Sequence, residues 1–150
     1  MTTATKSQRI YVASSWRNNF QQLIVHTLRA AKFEVYDFKN PHGNKGFSFH
    51  EVGLDGDKSI VGAAYVNALK HTRAEEGFTA DFDAMKWADT FVLVLPCGKS
   101  AHLELGWAVG AGKRTAILLE EVVQPELMYK MVDHIATDPI DLLGWLGVED

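Results

Sequence analysis

The sequence predicts an α/β domain, a flavodoxin-like three-layer sandwich with a five-stranded parallel sheet of order 2-1-3-4-5. Three observations predict it. Five short apolar or β-branched runs, at 9–13, 33–38, 91–95, 114–119 and 134–137, alternate with stretches of helical periodicity. Such alternation means parallel strands joined by right-handed crossovers. The chain has 150 residues and is 47% hydrophobic, which suits one domain with a real core. Five strands of this size favour the order in which the chain switches direction between the first and third strands.

Each element has its own signal. Residues 1–8 are polar and small and read as a frayed terminus, leaving 9–150 as a single domain. Arg9, Ile10, Tyr11, Val12 and Ala13 form a short strand. Residues 18–31 form a helix, with Phe20, Leu23, Ile24, Thr27 and Leu28 at helical spacing. Residues 33–38 have strand composition. Residues 39–58 hold four glycines, one proline and two histidines and read as a long loop, a length that is usually functional or disordered. Helices are expected at 59–71 and 81–88, followed by the apolar strand 91–95. Ser100 reads as the N-cap of a helix running to Ala111 and stopped by Gly112. A strand at 114–119 follows. A helix at 125–133 is expected with Pro125 in its first turn. A weak strand at 134–137 and a closing helix at 139–146 complete the chain.

Composition excludes several functions. The net charge is −4 with no basic tail or Arg-rich stripe, so no nucleic-acid partner is expected. The apolar runs are strand-sized, far short of a membrane span. Cys97 is the one cysteine, so no internal disulfide can form, and a cytoplasmic setting is the default expectation. The six histidines are scattered without ligand spacing, and neither a metal nor another cofactor is expected.

The predicted switch point gathers three polar clusters. Ser14, Ser15, Trp16 and Arg17 follow the first strand. Asp81 opens the helix that leads into the third strand. Cys97, Gly98, Lys99, Ser100 and Glu104 follow the third strand. Open α/β sheets bind ligands at this carboxyl edge. Glu104, expected in the first turn of its helix, would have its ionised form favoured there by roughly 0.3–1 kcal/mol. An ionised, sheltered carboxylate can attack a sugar carbon; it can equally support a helix start. Ser14, Ser15 and Arg17 can cradle a phosphate or sugar hydroxyl with the backbone N–H groups of their turn, or simply cap a helix. Tyr11 alternates with Ile10 and Val12 and can be an ordinary strand residue. Trp107, one turn beyond Glu104, can wall a pocket, stack on a base or belong to the core.

Other motifs fail on spacing. Gly98-Lys99-Ser100 lacks the glycine five residues upstream that a phosphate loop needs, since position 93 is Leu. No Gly-x-Gly-x-x-Gly follows the first strand. His102-Leu103-Glu104 has the His-x-Glu of zinc deaminases but no later Pro-Cys-x-x-Cys.

Taken together, the clusters resemble the nucleoside 2-deoxyribosyltransferase family and, equally, the related nucleotide N-glycosidases. The resemblance runs from Tyr11 to about Leu146. It rests on Glu104-Leu105-Gly106-x-Ala108-x-Gly110-x-Gly112-Lys113 before a strand, on Asp81 seven residues ahead of Ala88-Asp89, and on Tyr11-x-x-x-Ser15. It implies Glu104 as a nucleophile that forms a glycosyl-enzyme, Asp81 as acid/base and Tyr11 as the residue that orients Glu104. It implies that Ser15 touches the sugar or its 5′-phosphate. This is two-carboxylate glycosyl chemistry. The transferases carry Asp, and the hydrolases Ser, six residues before the nucleophile. This chain has Gly98, with Lys99 and Ser100 as neighbours that could substitute. The substrate-binding set expected is therefore Ser14, Ser15, Arg17, Gly98, Ser100 and Trp107, and the partner a small nucleoside or nucleotide. A homo-oligomer is expected from the aromatic load and from the family. Two other readings stay open: an NAD glycohydrolase like the bacterial-type Toll/interleukin-receptor domain, and a nucleotide-sensing module in which Glu104 only hydrogen-bonds a ribose.

Overall fold

A computed structural model of the chain describes residues 8–119 and 123–149. Strands β1 (Arg9–Ala13), β2 (Glu34–Asp37), β3 (Thr90–Val94), β4 (Arg114–Leu118) and β5 (His134–Ala136) form one sheet of order β2-β1-β3-β4-β5. Every pairing is parallel. Helices α1 (Phe20–Ala30), α2 (Gly62–Leu69), α3 (Thr72–Trp87), α4 (Lys99–Gly110) and α5 (Pro139–Trp145) connect and close it. The fold class and strand order expected from the sequence are those observed.

Strand alternation sorts the core into two layers. Ile10, Val12, Val92, Val94, Ala116 and Leu118 point to one face, where Ile24, Val25 and Leu28 of α1 and Leu142 of α5 cover them. Tyr11, Ala13, Phe91, Leu93 and Ile117 point to the other, under Ala84 and Met85 of α3 and Ala101, Leu105 and Ala108 of α4. Because the central strands are buried on both faces, they read in sequence as continuous apolar runs. Tyr11 is fully buried on the face that carries α3 and α4.

Several boundaries differ from expectation. Residues 72–80 are helical, so Asp81 sits in the middle of α3 rather than at its start. Gly77 hides this continuity in the sequence, because glycine costs a helix interior about 1 kcal/mol relative to alanine. Its role is close packing: a Cβ there would come within 2.6 Å of the Phe47 Cβ. The helix before it is shorter, covering Gly62–Leu69. Helix α4 starts at Lys99 with Gly98 as N-cap, so Ser100 lies inside it and does not cap it. The expected helix at 125–133 is a short 3-10 turn, Leu127–Met131, entered through Glu126, whose carboxylate accepts from the Met128 N–H. The first helix begins at Phe20, whose N–H donates to the Asn18 side-chain oxygen at 3.0 Å, while the Asn18 amide nitrogen reaches Ser14 and the Pro96 carbonyl. Gln8, expected in the frayed terminus, is anchored: its amide donates to the Leu146 carbonyl at 2.7 Å and accepts from Thr90 and Arg114. Residues 1–7 lie outside the described part.

The 39–58 segment is ordered. It contains 3-10 turns at Pro41–Gly43 and Phe49–Val52, the second held by a reciprocal Ser48–Glu51 capping box. Glu51 also pairs with Arg73 of α3 at 3.1 Å, and the Phe47 and Phe49 rings meet edge to face at 5.3 Å. These contacts fix the segment against α3 beside the carboxyl edge of the sheet. Among the described residues no helix is long and apolar enough to cross a membrane.

Candidate active site

The carboxyl ends of β1 and β3 are tied by a small polar knot. The Ser14 hydroxyl donates to the Val94 carbonyl at 2.7 Å and accepts from Asn18, whose amide also reaches the Pro96 carbonyl at 3.2 Å. Ser14 is thus engaged in holding two strand ends in register. Next to it, Ser15 is half-buried and accepts from the Arg17 N–H at 3.2 Å. Arg17 is exposed, and its guanidinium pairs with Asp57 at the end of the 39–58 segment. Trp16 packs edge-on against Phe38 and over Gly46, where a Cβ would sit 2.4 Å from the Phe38 carbonyl oxygen. Glycine is required at 46 for that approach. The first turn and the long segment are thereby locked together on one side of the site.

The two carboxyls, Glu104 and Asp81, lie on the α3/α4 face. The Tyr11 hydroxyl donates to the Glu104 carboxylate from α4. The Tyr36 hydroxyl donates to Asp81 Oδ1 from α3 at 2.8 Å. Tyr11 and Tyr36 are register partners on adjacent strands, and their rings stack with centroids 5.3 Å apart. Two carboxyl groups from two helices therefore rest on a stacked pair of phenols rising from the sheet. Glu104, Asp81 and Tyr11, expected from separate stretches of sequence, are brought together here. Tyr36 was not anticipated. The signal was available in the pairing of the first two strands, which sets Tyr36 beside Tyr11.

Burial dominates the electrostatics. It pushes the Glu104 carboxyl up to about 7, with the Tyr11 hydrogen bond pulling down and the Asp81 charge adding to the rise. It pushes Asp81 up to about 6 against the Tyr36 hydrogen bond. The expectation that a helix N-terminus would favour ionised Glu104 is corrected on two counts. Glu104 lies in the second turn, because α4 starts at Lys99 and carries no acid in its first turn, and helix-end effects fade beyond that turn. Desolvation is the larger effect. Both phenols are raised far above the ordinary tyrosine value, by burial first and then by the two carboxylates, so they remain neutral donors. At the end of β2, burial alone would raise Asp37; hydrogen bonds from Gln22, Asn40, Gln21 and the Lys39 N–H take it below the usual carboxylate value instead.

The other predicted residues take different places. Gly98 is exposed, with open space where a side chain would be, and Ser100 is exposed in the first turn of α4. Trp107 packs edge-on against Phe82 at 5.4 Å and against Phe91 at 6.2 Å, so its ring is part of the layer beneath the site. Cys97 lies close enough to Glu104 to feel its charge; burial, then that charge, push the thiol up to about 12. The His102 ring is fixed by the Gly98 carbonyl at 2.8 Å, which only accepts. Nδ1 therefore donates to that carbonyl, and Nε2 lies within hydrogen-bond distance of the Tyr129 hydroxyl, at 2.8 Å.

A cleft of about 180 Å³ opens onto Asp81 between the long segment and α3, lined by His42, Asn44, Lys45 and Arg73 among others. A larger cleft, about 420 Å³, lies at the amino edge of β4 beside Lys113, Asp133 and Trp145 and contains none of these residues. Among the described residues no group of three or more His, Cys, Asp or Glu is placed to hold a metal ion.

No family model and no curated protein matches the chain. Solved structures do. A 2-deoxyribosyltransferase from Bacillus psychrosaccharolyticus superposes with a TM-score of 0.59 at 20% identity, covering 89% of each chain. A conserved protein from Enterococcus faecalis gives 0.59 at 14% identity, over 93% of this chain and 96% of that one. The CMP N-glycosidase of Clostridium botulinum gives 0.54 at 18% identity, over 94% of this chain and the whole of that one. The structural neighbours and the resemblance read from the sequence point to the same two kinds of enzyme, and at these identities what the chain shares with them is the fold.

Proposed function

We propose that the protein cleaves or exchanges the N-glycosidic bond of a nucleoside or nucleotide. The observation that carries this is the pair of sheltered carboxyls, Glu104 and Asp81, each held by its own buried tyrosine at the carboxyl edge of the sheet. A fold shared with a 2-deoxyribosyltransferase and a CMP N-glycosidase supports the same reading.

In the first step a Glu104 oxygen bonds to the anomeric carbon. The bond from that carbon to the base nitrogen breaks, its electron pair goes to the base, and Asp81 supplies the proton the base needs. In the second step water or an acceptor base attacks the anomeric carbon, gives its proton to Asp81, and returns the bonding pair to the Glu104 carboxylate. The nucleophile must start ionised and the acid protonated, so one proton shared by the pair is the active state. Burial raises both carboxyls towards neutrality, which keeps one proton available to the pair near neutral pH; the first step requires that proton on Asp81. Tyr11 orients Glu104. Ser15, Arg17, Ser100 and the backbone at Gly98 border the space for sugar or phosphate, Ser14 holds the strand ends that frame it, and Trp107 supports the floor. No cofactor takes part.

A homo-oligomer belongs to the same proposal. Helix α2 has no buried residue, and Val61, Tyr65, Val66 and Leu69 are exposed, as is Phe78 of α3. Contiguous apolar surface of this kind marks an interface.

The test is incubation with a panel of nucleosides, nucleotides and NAD, followed by chromatography for free base. Release from a nucleoside or nucleotide supports the reading. Release of nicotinamide alone would move the assignment to an NAD glycohydrolase. Binding without any release would make the protein a nucleotide-sensing module.

A further inference from the structure

The two carboxyls are treated symmetrically by the fold, yet the reaction needs them in opposite states. Glu104 must be ionised before the base leaves. Asp81 must be ionised after it has left, to take a proton from the incoming nucleophile. Each hydroxyl donates one hydrogen bond, and a hydrogen bond to a carboxylate favours its ionised form. The Tyr11 hydroxyl donates to Glu104 and the Tyr36 hydroxyl donates to Asp81. The stacked rings, in register on β1 and β2, hold both donors at fixed positions.

We propose that Tyr36 is a positioning residue that keeps Asp81 a carboxylate in the second half of the reaction, as Tyr11 keeps Glu104 a carboxylate in the first. This rests on the two-step reading above. In the glycosyl-enzyme, Glu104 is esterified and carries no charge. What then decides the state of Asp81 is burial, which favours its protonated form, against the Tyr36 hydroxyl, which favours the ionised form.

The titratable and charged groups around Asp81 leave this to Tyr36. Tyr11 from β1 is committed to Glu104. From the long segment, His42 lies edge-on against the Tyr36 ring with centroids 5.8 Å apart, and Lys45 lines the same cleft. On α3 itself, Arg73 is occupied by Glu51 at 3.1 Å and Glu76 at 2.8 Å. Among the described residues, the hydrogen bond to the Asp81 carboxyl comes from Tyr36.

The experiment is Tyr36→Phe, which keeps the stacked ring and deletes the donor. Two readouts are needed. The first is the titration of carboxyl 13C signals, which requires no turnover. Asp81 should titrate higher in the variant by about one pH unit or more, with Asp81→Asn used to assign the signal. The second is pre-steady-state base release. The variant should give a burst of about one base per site, then turnover at neutral pH slower by roughly tenfold to a hundredfold. Because the lost function is ionisation of Asp81, raising the pH should restore turnover, moving the acidic limb of the profile upward. An unmoved Asp81 titration overturns the proposal. So does a variant whose burst and turnover fall together at every pH, since that marks a merely structural role. If the unmutated protein releases no base from any substrate, the functional reading fails by itself, and the carboxyl titration still decides whether Tyr36 sets the ionisation of Asp81.

Discussion

Gly77 lies directly beneath Phe47: a Cβ at position 77 would come within 2.6 Å of the Phe47 Cβ and 2.9 Å of its Cγ. The bare glycine lets the 39–58 segment settle on α3 one turn before Asp81, and so shapes the cleft that opens onto that carboxyl. Gly77→Ala sets two effects against each other. Alanine gains about 1 kcal/mol of helix propensity, while overpacking costs about 1–3 kcal/mol. The clash involves Cβ and Cγ, not a flexible tip, so overpacking should win. A urea midpoint at or below that of the unmutated protein, with weakened substrate binding, is the expected result. A clear gain in stability with unchanged binding would show that the segment does not pack as described.

Glu104→Gln separates chemistry from binding. The amide keeps the shape of the side chain and still accepts from Tyr11, but it has lost the negative charge and most of its nucleophilicity. Base release should fall by several orders of magnitude, each tenfold being ~1.4 kcal/mol of barrier. Ligand affinity measured by calorimetry should persist, because Ser15 and Arg17 are untouched. Full activity in the variant would remove Glu104 from the mechanism.

The same substitution should change stability with the opposite sign to most site mutations. The folded Glu104 carboxyl sits at about 7, against 4.5 unperturbed. Between those values the folded state holds a proton that the unfolded chain releases. Stability is therefore lost as the pH rises through this window and is lowest above it. Glutamine carries no such penalty. Glu104→Gln should raise the urea midpoint at pH 8 more than at pH 5, the gap being of the order of 1 kcal/mol for each pH unit of the window. An equal effect at both values would mean that the carboxyl is solvated in the folded protein.

Much of this arrangement was legible in the sequence, and the parts that were not have physical reasons. Strand order followed from the alternating apolar runs, Glu104 and Asp81 from the polar clusters at the switch point those runs define, and Tyr11 from the family resemblance alone. Tyr36 was missed because a tyrosine in a β-rich run looks ordinary until β2 is laid beside β1, a non-local fact. The Ser100 side chain suggests a cap, whereas α4 starts at Lys99 and its N-cap is Gly98, whose carbonyl is taken by His102. The environment of Glu104 was misjudged because a helix-end effect is local and visible, while burial depends on Tyr11, Asp81 and the layer beneath them. The ordering of the 39–58 segment depends on Gly77, Gly46 and Arg73, two of which read as breakers or loop residues when seen alone.

Helix α2 supplies the last test. Its eight residues include no buried side chain, and Val66 and Phe78 are each more than half exposed. A helix this short is marginal in water without a face to pack on. A stable dimer hides roughly 800 Å² on each partner, and the stripe Val61, Tyr65 and Leu69 with Val66 next to it supplies a centre for such a contact. Light scattering of the unmutated protein should report a dimer or larger. Val66→Glu places a charge in the middle of the apolar stripe, where burial without a partner is costly. That variant should dissociate to monomers whose circular dichroism spectrum loses no more than the contribution of α2. A monomeric unmutated protein at working concentrations would refute the assembly. An oligomer that survives Val66→Glu would move its interface to another face.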